Sequence, residues 1–259
     1  MTTGFPDGET VRTAMSLAVR APSVYDSQPW RWQMGADSLC LYADRTHHLP
    51  DTDGRDLLLS CGATLHHCVV ALAGRGYQAT VHRLPDPADP GLLAALTAGP
   101  RVPTDADVTL AAAIGRRHID RRLYFDREVS LADIALMGAR AARAGVTLRR
   151  VESFTDLTPI MDVARQISDR GVVVALGTRD DDDLARLRAG EAMSLVLLTA
   201  TALGLATCPL TEPLKMAQAR AALRDEIFDG REHPQMLIRL GWALDDAAAL
   251  PDTPRRQPA

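Results

Sequence analysis

The chain has 259 residues, 46% of them hydrophobic and 24% charged, and a formal net charge of −4. That is an ordinary globular composition, long enough for one large domain or two small ones. Without a basic segment, and with only 4% aromatic residues, it excludes the charge footprint and the stacking platforms of a nucleic-acid binder.

Met1–Gly8 shows neither the basic nor the apolar region of a signal peptide. The first helix is predicted from Val11, Ala14, Met15, Ala18 and Val19, with Asp7 as its cap. The chain then breaks at Ala21-Pro22 and runs as a loop through Ser23–Trp30. Leu39–Tyr42 reads as a strand. Asp53 opens a second helix with the stripe Leu58, Cys61, Leu65, Val69 and Leu72, ended by Gly74 and Gly76. Tyr77–His82 alternates as a half-buried strand, Pro85–Pro90 is a loop, and a short helix is predicted up to Leu96. Gly99–Thr104, with two prolines, is the candidate linker, so the domains are taken as 1–103 and 104–259.

Beyond the linker, Asp107–Gly115 and Leu131–Ala144 read as helices, the latter terminated by Gly145. Val146–Val151 is a strand, Ser153–Ser168 a short helix, and Gly171–Leu176 an apolar run typical of a central strand. Leu184–Leu203 is a long helix. It contains most of Met193–Leu205, the most apolar stretch, which is too short to span a bilayer and reads as core. Met236, Ile238, Leu240 and Trp242 alternate with Gln235 and Arg239 in a final strand. Leu59, Gly62 and Gly76 recur as Leu187, Gly190 and Gly204 at a shift of 128 positions, and the order of elements repeats. The two halves are therefore read as related modules.

Cys40, Cys61, Cys68 and Cys208 form no CxxC pair and read as reduced thiols of a cytoplasmic protein. His47-His48 and His66-His67 lack an accompanying carboxylate–His motif, and the run Asp180–Asp183 suits a helix N-terminus, so no metal site is expected. Two segments could carry chemistry. Ala21-Pro-Ser-Val-Tyr-Asp-Ser-Gln-Pro-Trp30 holds an extended backbone whose N–H groups, with Ser23, Asp26 and Gln28, could face a planar polar ligand. It could equally be a turn that buries Trp30. Arg116-Arg-His-Ile-Asp-Arg-Arg122 could hold an anion or simply be a solvated helix end.

The first of these segments resembles the APSxxNxQPW signature of FMN-dependent nitroreductases, and more closely the actinobacterial Acg family of nitroreductase-like flavoproteins. Leu41–Arg45, Gly54–Ala63 and Thr253–Arg256 match further motifs of that family in order. The resemblance implies an α+β nitroreductase-like fold: two related modules fused into a pseudo-dimer, each a central sheet flanked by helices, with one FMN held between the halves. It assigns Pro22, Ser23, Val24, Asp26 and Gln28 to the flavin loop. Arg117 is assigned to the phosphate, Ile119 to the same motif, and Arg121 to the N1/O2 edge of the ring. Pro209, Leu210 and Thr211 pass the N5 side, and Arg255 and Arg256 complete the phosphate site. No side-chain acid or base is required, because the flavin carries the chemistry.

Two residues depart from the family pattern. Asp26 stands where Asn is usual, which removes an amide donor, and Ile119 stands where Ser or Thr is usual, which removes a hydroxyl. The family's longer insertion, which includes a lid, is reduced here to about Pro159–Arg170. The function implied is NAD(P)H-dependent reduction of a small electron acceptor, nitroaromatic or quinone-type, by a monomer (an internal pseudo-dimer) or homodimer with no membrane partner. The alternatives are a flavin-binding or storage stress protein with little turnover, and a degenerate scaffold without flavin.

Overall fold

The computed structural model describes residues 4–47, 53–152, 171–244, 250 and 253–256. The chain forms two compact units: Met1–Arg116 with Pro254–Ala259, and Arg117–Thr253.

In the first unit α1 (Gly8–Ala18) starts where the Asp7 carboxylate accepts the Thr10 N–H at 2.7 Å, and its Val11, Ala14, Met15 and Ala18 are buried. Then follow β1 (Trp30–Met34), β2 (Leu39–Ala43), α2 (Arg55–Gly74), β3 (Tyr77–Arg83), β4 (Leu92–Pro100) and α3 (Asp105–Arg116). The sheet order is β1-β2-β4-β3, antiparallel throughout. α2 is the core of this unit. Leu57, Leu58, Leu59, Cys61, Leu65 and Cys68 point to different sides of the helix, and all are buried. Asp53 does not cap it through the cap position, which is Gly54 in a left-handed conformation.

Two sequence expectations are corrected here. The stretch up to Leu96 is the strand β4, not a helix. Leu96 faces Leu39 on one side and Val81 on the other, so β4 is bonded along both edges. The few tenths of a kcal/mol per residue by which Ala and Leu favour helix are overridden by that ladder and by burial of Leu93, Ala94 and Leu96. Gly99 and Pro100 complete the same strand, so the first part of the expected linker is sheet. α3 packs at Gly74, where an added Cβ would lie 2.5 Å from that of Ala111. α3 therefore groups with the first unit, which runs to Arg116.

The second unit comprises β5 (Tyr124–Phe125), α4 (Leu131–Arg143), β6 (Thr147–Arg150), β7 (Val172–Thr178), α5 (Asp183–Ala202), β8 (Ala206–Leu210), α6 (Ala217–Phe228) and β9 (His233–Ala243). Ser130 and Asp182 cap α4 and α5 through their side chains. The long β9 pairs with β5, β7 and β8, and β6 lies outside β7. The alternation read in β9 is real, but its polar side is not solvated: Gln235 is 0% and Arg239 4% exposed. Gln235 donates to Thr178 Oγ1 at 2.7 Å and to Asp181 Oδ1 at 3.0 Å. The helix expected over Ser153–Ser168 lies outside the described residues.

The two units repeat one plan. Among the described residues each runs helix–strand–strand–helix–strand–strand, through α1-β1-β2-α2-β3-β4 and α4-β6-β7-α5-β8-β9, with α6 inserted before β9. The ladders also correspond, β1-β2-β4-β3 with β6-β7-β9-β8, all antiparallel. α2 and α5 are both 20 residues long, and the glycines beyond them, Gly76 and Gly204, have φ of 86° and 85°.

Candidate functional site

The loop between α1 and β1 in the first unit is held in an unusual shape. Tyr25, Asp26 and Gln28 are non-glycine residues with φ of 54°, 54° and 46°. Each such residue costs on the order of 1–2 kcal/mol unless its surroundings hold it. The holding groups are visible. Val24 N–H donates to Ser60 Oγ on α2 at 3.1 Å, Gln28 N–H to Ser23 Oγ at 3.0 Å, and Cys61 Sγ to the Pro29 carbonyl at 3.2 Å. Pro22 and Trp30 are buried beneath the loop.

The other holding group is the C-terminal tail. Gln28 Nε2 donates to the Pro254 carbonyl at 3.2 Å, and its Oε1 accepts the Arg256 N–H at 2.9 Å. One side-chain amide thus brackets Arg255 as a neighbouring strand would. The Arg255 guanidinium donates to Asp26 Oδ1 at 2.9 Å and to the Ala21 carbonyl at 3.3 Å. That of Arg256 donates to the Gln28 carbonyl at 3.2 Å and to Asp44 Oδ2 at 3.3 Å. The motifs at Ala21–Trp30, Leu41–Arg45, Gly54–Ala63 and Thr253–Arg256 therefore meet at one place. Asp44 and Ser60 are partners that sequence reasoning missed, although each lay inside a motif already marked.

In the second unit the basic segment lies against β8 and β9. Asp120 N–H donates to the Thr207 carbonyl at 2.8 Å. Arg122 grips the Asp120 carboxylate with two nitrogens, at 2.9 and 2.8 Å. That grip, together with the surrounding cationic charge, holds the Asp120 carboxyl below its ordinary range although burial opposes it. Arg239 reaches from β9 to the Arg122 carbonyl at 2.6 Å and stacks 3.8 Å from the centroid of the Tyr124 ring. Tyr124 OH donates to the Asp120 carbonyl at 2.9 Å. Only a glycine fits at 241, since a Cβ there would overlap the Tyr124 ring. Neither Arg239 nor Tyr124 stands out in the sequence, where one is the polar half of an alternating strand and the other follows a run of arginines.

This bracket places the sequence candidates. Arg117 is 4% exposed. Ile119 packs against the apolar cluster of Val151, Cys208, Leu210 and Leu237, which accounts for a hydrocarbon where a hydroxyl was expected. Arg121 is exposed, and its charge, after that of Arg239, opposes the rise that burial imposes on the Cys208 thiol. Pro209 and Leu210 end β8, and Thr211 leads into a short 3-10 turn at Glu212–Leu214. The second unit thus brings residues 118–120 against 207–210, and the first brings Ala21, Asp26 and Gln28 together with 254–256.

A nitroreductase family model matches residues 165–242. A Mycobacterium tuberculosis H37Rv protein that bears the name of an NAD(P)H nitroreductase is 46% identical, over 99% of this chain and 92% of its own. That alignment spans 316 positions against the 259 residues here, so more than fifty residues of the relative have no counterpart. The M. tuberculosis protein named NAD(P)H nitroreductase acg is 30% identical, over 96% of this chain and 93% of its own. A Bacteroides fragilis nitroreductase crystallised with FMN aligns with 56% of this chain and 94% of its own, at 15% identity and a TM-score of 0.45.

Proposed function

Because the chain belongs to the nitroreductase family, we propose that it is an FMN-dependent oxidoreductase that takes hydride from NAD(P)H and passes electrons to a small acceptor. The observation that carries this reading is the exposed side chain of Arg121 in a basic segment whose Ile119 and Asp120 pack against β8 and its apolar cluster.

The residues present fit FMN in kind. Arg117 and Arg121 in the second unit, and Arg256 in the first, are permanent cations suited to a phosphate and to an electron-rich ring edge. Pro209 and Leu210 offer apolar backbone, and Ser23 and Val24 belong to a loop already fixed in shape. When bound, FMN supplies the hydride and electron chemistry. What the chain's own residues add is charge and order. The guanidinium of Arg121 favours the negative charge that reduction brings. Tyr124 and Arg239 fix the backbone carbonyls of Asp120 and Arg122 on either side of it. Gln28 and Arg255 support the loop and tail rather than offering free donors.

The acceptor class we infer is nitroaromatic or quinone-type, on kinship alone. The degenerate-scaffold alternative was motivated by Asp26 and Ile119, and both have partners within their own units, Arg255 and the β8 cluster. The test is anaerobic mixing of flavin-loaded protein with NADH and with NADPH while flavin absorbance is followed. Bleaching within minutes is the expected result. Bleaching by dithionite alone would replace turnover with flavin storage, and failure to load FMN at all would leave the scaffold reading.

A further inference from the structure

We propose that Asp26 acts as the receptor for the segment Pro254–Arg256, and that the pair Asp26–Arg255, with Gln28, forms a latch that sets the shape of the flavin loop. The inference rests on the FMN reading for its consequence, but the latch itself is a property of the first unit alone.

Three observations carry it. First, the tail residues Pro254–Arg256 make six hydrogen bonds to Ala21, Asp26, Gln28 and Asp44, and Gln28 supplies both sides of a bracket around Arg255. Second, Asp26 and Gln28 are two of the three left-handed non-glycine residues in the loop. The side chains that hold the tail therefore sit on the backbone positions that most need holding. Third, the Arg255 side chain is 18% exposed, far less than expected of a free tail arginine, because it lies between a carboxylate and a carbonyl.

Asp26 thus has a reason to be acidic. Asn at this position would suit the left-handed backbone equally well, since both residues tolerate it. It would lack the charge that selects a guanidinium. Asp26 and Arg255 are accordingly positioning residues that act on the cofactor through the loop, and their effects form one unit.

This yields a result opposite to the one expected if Asp26 merely replaced an amide donor to the flavin. FMN affinity of Asp26→Asn, Arg255→Ala and the double variant is measured by flavin fluorescence. Each single substitution should weaken binding about three- to tenfold, and the double variant should be no weaker than the weaker single. Tighter binding by Asp26→Asn, or losses that add, would overturn the latch and make each residue an independent cofactor contact. A second measurement does not depend on flavin. Hydrogen exchange at the amides of residues 23–28 is followed in FMN-free protein, and all three variants should exchange faster than the parent, to the same extent. Unchanged exchange would overturn the latch even if FMN bound weakly. Absence of FMN binding by the parent would sink the cofactor reading, and the exchange result would still decide the latch.

Discussion

Arg239 sits where the alternation of β9 demands an inward side chain on the polar face, and the sheet covers it. Its guanidinium serves the backbone carbonyls of Arg122 and Asp120 while its flat face meets Tyr124. Replacing it with Leu should strand buried acceptors and remove the stack. The expected loss is about 3 kcal/mol of unfolding free energy, read from urea denaturation. Arg239→Lys should recover only part of it, because a single ammonium cannot fork between two carbonyls and stack as well. Asp120 gives a pH dependence of known sign. Its folded pKa is depressed from 3.8, first by the Arg122 hydrogen bonds and then by the charges of Arg122 and Arg239. A depressed carboxylate contributes stability that is fully present above its unfolded value and is lost as pH falls through the folded one. The stability gap between the parent and Asp120→Asn should therefore be constant above pH 5, narrow below about 3.8, and vanish in stronger acid. A gap unchanged down to that point would mean that the carboxylate is not the group involved. These residues were illegible in the sequence because their importance lies in what β9 brings them against.

At the scale of elements, the turns after α2 and α5 obey one rule. Gly76 and Gly204 each take a left-handed conformation, directly before β3 and shortly before β8, and Gly76 is further crowded by the Arg101 carbonyl at 3.1 Å from a would-be Cβ. Gly204→Ala should cost about 1–2 kcal/mol in unfolding free energy, and Gly76→Ala more, since strain and crowding add there. Denaturation curves of both variants check the order, and equal losses would show that the carbonyl yields. Helices were largely legible: Asp7 and Gly145 mark ends that α1 and α4 share with the sequence reading. Strands were legible where they alternate or form a central apolar run, as in β3 and β7. β4 was not, because nothing in Leu92–Pro100 announces that both of its edges are occupied. β8 and α6 were missed for a different reason: Pro209 and the weak pattern of Ala217–Phe228 carry little local signal.

At the scale of the whole molecule, the two units share a plan but differ in the loop that follows their first helix. Between α1 and β1 the first unit has residues 19–29, the latched loop, whereas between α4 and β6 the second has only residues 144–146. A second flavin loop has no chain to be made from. The expected stoichiometry is one FMN per chain, measured by releasing flavin with heat and comparing it with protein, and two per chain would contradict the asymmetry. The segment read as too short for a lid, Pro159–Arg170, lies outside the described residues. What the sequence determined by itself was local or repeated: caps, helix stripes, alternating strands, three identities at a shift of 128 positions and a set of family motifs in order. Those signals are legible because neighbours along the chain set them, through 3.6- and 2-residue periods and through backbone preferences of single residues. Only the tertiary structure decided that Gln28 and Arg255 hold each other's segments rather than stand as free donors, that Asp26 has a cationic partner, and that Arg239 braces the basic segment. Those contacts join residues more than a hundred positions apart. Their energy depends on burial and geometry that no run of neighbouring residues encodes.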